Sequence, residues 1–335
     1  MFIYLPLCMK SMPLKKVTII IPTRNEEKHI RNCLKSIFFQ NYPKKLLQVI
    51  VIDNDSTDRT LEIAREMGAQ VVETKFPNEE IKRSYAIKKL AKGEIIGMVD
   101  ADNYLPPKKD WLKNMILPFD NPEIAATDPV SYAYRKEDNL ITKYCALIGG
   151  DDAIAVYLGL NDHYCAMNNT IVGIADSVED AGKYYKIVLN KDRVPALGMN
   201  GFFFRKKIFD KHPMDSFMHP IFVYNMAQDG HRVIAKVKQE IIHVQPASIR
   251  IHFKKKLRRM WRRNSGEMKW SYNYGLTKKD YLLTSLYIMS VLPVIADTIV
   301  GFIRKPSLAW LFHPINTYVL FASYVYYVLF TNVKV

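Results

Sequence analysis

Short apolar runs alternate with helical stretches through the first hundred residues. Val17–Ile21 predicts a strand, and the segment after it places Ile30, Cys33, Leu34, Ile37 and Phe38 on one face of an amphipathic helix. Thr23 with Glu26 three residues later has the spacing of a capping box, which predicts that helix to start there. Val49–Asp53 reads as a second strand and Thr60–Met67 as a second helix, and Gln70–Glu73, Glu80–Ala91 and Glu94–Val99 continue the alternation. Strands alternating with helices predict βαβ units, hence an α/β domain with a mainly parallel sheet covered by helices on both faces. Ligands of such sheets lie at the carboxyl ends of the strands.

The far end of the chain has a different pattern. Residues 281–303 carry a single charge, Asp297, and residues 306–330 carry none. Each run is long enough to cross ~30 Å of hydrocarbon as a helix, and Arg304-Lys305 between them predicts a hairpin turn; the alternatives are buried helices of a large soluble domain, or, given Pro293 and Pro314, two broken or tilted helices lying in the interface. Just before them, residues 250–263 hold eight basic residues and no acid: Arg250, Lys254, Lys255, Lys256, Arg258, Arg259, Arg262 and Arg263. Phe253, Leu257, Met260 and Trp261 are interleaved at helical spacing, the pattern of an interfacial helix. Four parts are expected: a tail over residues 1–14, a catalytic domain over 15–245, a basic juxtamembrane segment over 246–280 and a two-helix membrane hairpin over 281–335. The positive-inside rule puts the large N-terminal part on the cytoplasmic face of the cell membrane. The first ten residues have neither a basic n-region nor a small-residue cleavage site and are not expected to be a signal peptide.

Composition sharpens this picture. The 335 residues hold 48 Lys+Arg against 33 Asp+Glu, a formal +15, which points to nucleic acid, anionic lipid or a phosphorylated ligand. Over half of that excess lies in the tract beside the apolar runs, which favours anionic membrane lipids over nucleic acid. A hydrophobic content of 49% excludes a disordered chain. Cys8, Cys33, Cys145 and Cys165 show no metal-ligand or redox spacing and read as reduced thiols.

Three polar loops follow predicted strands: Pro22-Thr23-Arg24-Asn25-Glu26-Glu27, Asp53-Asn54-Asp55-Ser56-Thr57-Asp58 and Asp100-Ala101-Asp102-Asn103. No glycine-rich dinucleotide loop and no P-loop is present. Asp100 and Asp102, two apart at a strand end, can face one way and suit Mg²⁺ or Mn²⁺ that also binds phosphate oxygens, or they form a solvated turn. Asp53 can accept hydrogen bonds from a nucleobase or ribose, or cap the next helix.

In this order and spacing the loops resemble those of the family 2 glycosyltransferases, with the fold called GT-A, over roughly residues 15–245. The resemblance implies a nucleoside-diphosphate sugar of UDP or GDP type. Pro22, Asn25, Glu26, Asp53 and Asp55 would lie on the nucleotide side, Asp100 and Asp102 would hold the metal and diphosphate, and Arg83 would lie near the diphosphate. Gly198-Met199-Asn200-Gly201-Phe202-Phe203-Phe204-Arg205 resembles the family's acceptor-side segment, which assigns Asn200, Gly201 and Arg205 to the acceptor. The family's Glu-Asp pair, which supplies the catalytic base, is replaced here by Met218-His219. Either His219 is the base, with Asp215 a weaker substitute, or no base is needed because the acceptor is already an anion, such as a polyprenyl phosphate. His243 and His252 are expected to be structural or to face headgroups. Arg258, Arg259 and Arg262 are expected on the acceptor side, and the processive members' Gln-x-x-Arg-Trp signature is absent. The resemblance thus implies a membrane-anchored, inverting, metal-dependent glycosyltransferase with a polyprenyl-phosphate acceptor. Its rivals are transfer to a hydroxyl of a lipid-linked glycan, and a non-catalytic sugar-nucleotide or lipid scaffold.

Overall fold

The computed structural model describes residues 13–264, 271–272 and 274–330. The expected N-terminal tail up to residue 12, Cys8, the side chain of Arg263 and residues 331–335 lie outside the described residues. The strands are β1 (Val17–Thr23), β2 (Leu47–Asn54), β3 (Gln70–Thr74), β4 (Ile95–Met98), β5 (Asn103–Tyr104), β6 (Ala126–Ala133), β7 (Ala175–Asp180), β8 (Tyr184–Leu189), β9 (Phe202–Arg205) and β10 (Val233–His243). The helices are α1 (Ile30–Phe38), α2 (Thr60–Glu66), α3 (Glu79–Tyr85), α4 (Trp111–Ile116), α5 (Leu140–Ile148), α6 (Ala153–Tyr157), α7 (Lys206–Lys211), α8 (His219–Gln228), α9 (Ile249–Asn264), α10 (Lys278–Met289), α11 (Leu292–Arg304) and α12 (Phe312–Phe330).

One sheet runs in the order β3-β2-β1-β4-β9-β6-β10-β8-β7, with β5 on β10. It is parallel from β3 to β4, as expected, and β6 pairs with β10 in parallel. The expectation of a mainly parallel sheet fails beyond β4. There β9 enters antiparallel between β4 and β6, and β10-β8-β7 is an antiparallel meander. Hydrophobic periodicity reports burial of a strand and not the direction of its neighbour, so the sequence could not show this.

Two apolar layers cover the sheet. Ile19 and Ile21 of β1 pack with Ile30, Cys33, Leu34 and Ile37 of α1 on one face, and Ile20 packs with Ala86, Phe204 and Phe222 on the other. Phe38, expected on the buried face of α1, is 40% exposed. The helix also starts later than the capping-box spacing predicts. Thr23 ends β1 and donates to Asp53 instead, and Ile30 opens the helix. The longer loop is what frees residues 24–27 for the sheet edge.

The C-terminal segments pack on this body. Ile141, Tyr144 and Cys145 of α5 form a core with Trp310 and Phe312. No single helix among the described residues is long and apolar enough to cross a membrane; α10 and α11 pass that test only as a pair bent by 81°. The bend sits at Val291 (φ 63°), just before Pro293, whose ring and missing N–H stop the preceding helix. The expected turn at Arg304-Lys305 packs on the body. Arg304 donates to the carbonyls of Ala166 (3.3 Å) and Met167 (2.5 Å), and the Lys305 ammonium lies 4.9 Å from the Tyr164 ring centre. In α12 an inward stripe of His313, Asn316 and Thr317 is fully buried, and His313 bonds the hydroxyls of Tyr144 and Tyr157. A run without formal charge can still carry a polar face that needs protein partners.

Candidate active site

The parallel half of the sheet puts the ends of β1, β2 and β4 side by side, with Thr23 opposite Asp53. The first two loops are tied to each other. The Asn25 N–H donates to Ser56 Oγ (2.8 Å), Asn25 Oδ1 accepts from the Thr57 N–H (2.9 Å), and the Glu26 N–H donates to Thr60 Oγ1 (2.7 Å). Asn25 (φ 57°) and Asp55 (φ 60°) sit in the left-handed region, a conformation that costs energy in a side-chain-bearing residue. Asp53 is fully buried and takes Thr23 Oγ1 (2.7 Å), Ser56 Oγ (2.6 Å) and the Ser56 N–H (2.8 Å). Its carboxylate therefore organises both loops. Pro22 is buried in β1 opposite Ile52.

Glu26 is pushed up to about 7, first by burial and then by the Asp102 carboxylate, against the pull of Lys255. Lys82, which the sequence reading did not single out, is 1% exposed and donates to the Thr23 carbonyl (2.9 Å). Burial lowers its ammonium below the usual lysine range.

The third loop carries the strongest electrostatics. Arg83, 4% exposed on α3, reaches Asp100 Oδ1 at 2.9 Å and Glu79 at 3.4 Å. Burial opposes its charge, but the two carboxylates raise its pKa. Asp100 is raised by burial, with Arg83 pulling the other way. Burial also penalises the Asp102 charge, yet His243, Lys255 and His29 hold it below the usual carboxylate range. His243 Nε2 lies 3.7 Å from Asp102 Oδ1, so the expectation that His243 is structural or headgroup-facing is corrected. Antiparallel pairing of β10 with β5 sets His243 opposite Asn103, one residue from Asp102. Burial works against its charge, but Asp102, Asp151 and Asp100 raise it. His252 is structural as expected, buried with Nε2 3.4 Å from Asn316 Oδ1.

Among the described residues no three His, Cys, Asp or Glu side chains form a preformed metal cluster. The donor set nonetheless fits a divalent cation that shares its coordination with phosphate oxygens. A carboxylate and an imidazole, Asp102 and His243, stand together, while Asp100 is engaged by Arg83.

In the segment expected on the acceptor side, Gly198 lets the loop close on α8, since a Cβ there would stand 2.7 Å from His219 Cβ. His219 opens α8, and burial, then the charges of Arg83 and Arg259, lower it to about 3. Asn200 (φ 54°) donates from Nδ2 to the Tyr132 hydroxyl at 2.7 Å, and the Tyr132 ring lies 5.8 Å from His243. The Gly201 N–H donates to Met98 O (2.7 Å), which holds this loop against the end of β4. Arg205 is not at the site. Because β9 runs antiparallel to β4, Arg205 lies opposite Ile95 at the other edge, where its guanidinium donates to the carbonyls of Phe119, Asn121 and Ile124. Asp215 is exposed and pairs with Lys88 at 2.8 Å.

Helix α9 lies between the two sides. Lys256 pairs with Asp151 and, at 3.7 Å, with Asp152; Arg259 reaches Asp151 at 3.4 Å, and Arg262 reaches Glu80 of α3 at 3.3 Å. Lys255 acts on Glu26, His29 and Asp102. At ~100° per residue Lys255, Arg258, Arg259 and Arg262 all fall within about 100° of one another on the helix, with Arg258 about 60° from Lys255 and about 40° from Arg262. Lys255 joins the three arginines expected there, and that spacing was available in the sequence. Asp151 and the position of His243 were not, since each is brought in from far along the chain.

The family model described as glycosyl transferase family 2 matches residues 18–172. A dolichyl N-acetyl-alpha-D-glucosaminyl phosphate 3-beta-D-2,3-diacetamido-2,3-dideoxy-beta-D-glucuronosyltransferase of Methanococcus voltae is 39% identical over 107 residues, 30% of this chain and 32% of that protein. The probable glycosyltransferase YdaM of Bacillus subtilis is 36% identical over 125 residues, 35% of this chain and 29% of that protein. The chain thus spans about a third of the length of these curated relatives. The solved structure of mannosyltransferase PcManGT from Pyrobaculum calidifontis, in complex with GDP-Man and Mn²⁺, is similar with a TM-score of 0.55 at 18% identity, covering 96% of this chain and 89% of that one. That likeness concerns the fold, including its C-terminal helices. Through the part that carries the three acid-bearing loops, residues 18–172, the chain is a relative of the family 2 glycosyltransferases.

Proposed function

We propose that the chain transfers a sugar, with inversion, from a UDP- or GDP-type donor to a polyprenyl-phosphate acceptor at the cytoplasmic surface of a membrane. The observation that carries this reading is the cationic flank of α9, which faces Asp102 and Glu26 through Lys255 and closes on Asp151 and Glu80 through Arg259 and Arg262. Cations at the mouth of a carboxylate-rich site suit a phosphate-bearing acceptor.

A phosphate oxygen forms the new bond to the anomeric carbon while the bond from that carbon to the diphosphate oxygen breaks, and the electron pair leaves with the diphosphate. No proton has to move, because the acceptor is already an anion. His219 supports this choice over a hydroxyl acceptor, since a group at about 3 is a poor recipient for a hydroxyl proton near neutral pH. Asp102 and His243 would hold Mg²⁺ or Mn²⁺, which when bound would neutralise the departing diphosphate. Arg83 orients Asp100 and adds positive charge on the same side. Asn25, Glu26 and Asp55 form the nucleotide-side rim that Asp53 holds in shape.

The test is a labelled-donor screen on membranes containing the full chain, followed by mild acid treatment of the product lipid. An acid-labile sugar phosphodiester is expected, and an acid-stable glycoside would sink the reading. His219→Ala is expected to retain transfer; abolished turnover with donor binding intact would move the assignment to a hydroxyl acceptor.

A further inference from the structure

The bent pair α10–α11 is held to the catalytic body at both ends. Asp280, in the first turn of α10, lies 3.3 Å from Arg193, and Arg304, at the end of α11, is bound by the carbonyls of Ala166 and Met167. The inner side of the bend closes on α12, with Ile288, Val294 and Leu320 almost wholly buried together. The outer side is covered by nothing among the described residues. Leu282, Leu283, Leu286, Leu292, Ile299 and Ile303 are each more than half exposed. Asp297, the one charge within 281–303, is engaged by the hydroxyls of Tyr157 and Tyr287, both at 3.0 Å.

The backbone at the bend is satisfied internally. The N–H groups of Ser290, Val291 and Leu292 donate to Leu286, Ile288 and Ser290. Irregular backbone tolerates an apolar medium only when its polar groups are paired in this way. Length excludes a crossing by α11, since its 13 residues span ~20 Å against a hydrocarbon core of ~30 Å.

The neighbouring helix supplies the charge. Leu257 and Trp261 of α9 are about half exposed, beside exposed Arg250 and Lys254. Phe253, one turn from Leu257, packs on Phe312, so this flank continues onto α12. A second copy of the chain would bring the same cations against this surface. Anionic headgroups complement them.

We propose that α9–α12 form an in-plane wedge that enters a single leaflet of an anionic bilayer without crossing it, with the turn at Arg304-Lys305 on the same side as the catalytic cleft. This deepens the membrane seat of the proposed function, and its test requires no catalysis. In the full chain with Cys8 replaced by serine, the described cysteines Cys33, Cys145 and Cys165 are buried. Lys305→Cys and, as a catalytic-side marker, Lys45→Cys are then probed with a membrane-impermeant maleimide in sealed inside-out and right-side-out vesicles. Both sites are expected to react from the cytoplasmic side alone. Reaction of residue 305 from the opposite side would overturn the single-leaflet arrangement in favour of a spanning hairpin. An independent measurement adds purified chain to preformed vesicles of phosphatidylcholine with phosphatidylglycerol. Leu292→Asp is expected to weaken partitioning about tenfold or more. Unchanged partitioning of Leu292→Asp, or no binding by the parent chain, would overturn the wedge while leaving sugar transfer in detergent to be judged separately.

Discussion

The two sides of the cleft are held together by different forces. On the nucleotide side, short neutral and charge-assisted hydrogen bonds knit loops that neighbouring parallel strands already place together: Asn25 to Ser56 and Thr57, Glu26 to Thr60, Asp53 to Thr23 and Ser56. On the proposed acceptor side, α9 is held by ion pairs to Asp151, from the α5–α6 connection, and Glu80, from α3. The bonds around the buried Asp53 carboxylate are insensitive to salt and costly to leave unmade. The pair between Asp151 and Arg259, whose side chain is 64% exposed, is weaker, screened by salt and open to exchange with an anionic ligand, while Lys256 beside it is buried. One side is thus built as a fixed mould and the other as a set of exchangeable contacts.

This contrast is open to breakage, beginning with the largest effect. Asp102→Ala removes the carboxylate beside His243 and is expected to lower transfer about 10²–10³-fold in a metal-titrated assay while leaving the melting midpoint nearly unchanged. Full activity would remove Asp102 from the site. Asp53→Ala orphans three donors in the mould and is expected to cost ~2–3 kcal/mol in urea unfolding. A loss of nucleotide affinity without loss of stability would make Asp53 a ligand contact instead. Arg259→Ala acts on the exchangeable side. Its expected effect is a three- to tenfold rise in KM for a lipid-phosphate acceptor, roughly 1 kcal/mol, with donor KM unaltered. Raising salt from low to physiological strength should mimic it for the acceptor and not for the donor.

The smallest effect is on pH dependence. Glu26 is raised from 4.5 to about 7 by burial and by Asp102, so folding takes up a proton there between those values. Stability should fall as pH rises through that window, because the folded carboxyl must then ionise against burial and a like charge. Melting curves of Glu26→Gln between pH 5 and 8 should be flatter than those of the parent chain. An identical slope would mean that another group dominates.

Much of the nucleotide side was legible in the chain itself. The strands and helices up to β4 follow from local periodicity, and the three polar loops had to converge once those strands paired in parallel. The GT-A reading rested on those loops, and both the family match over residues 18–172 and the fold likeness agree with it. The resemblance put Arg83 near the diphosphate, and the structure brings it to 2.9 Å from Asp100. Arg205 failed because the direction of β9, and so the edge its end occupies, is set by pairing and not by the strand's own residues.

Residue types and their spacing determined an α/β half with acid-bearing loops at one edge and placed the excess positive charge beside two apolar runs. They did so because strand and helix periodicities are local properties of the chain. Only the tertiary structure decided that His243 stands by Asp102 and that Arg304 packs on the carbonyls of Ala166 and Met167. Those outcomes depend on contacts between segments tens to more than a hundred residues apart. Local pattern carries no information about them, because such contacts form only once the sheet has chosen its strand order and the polar stripe of α12 has found its buried partners.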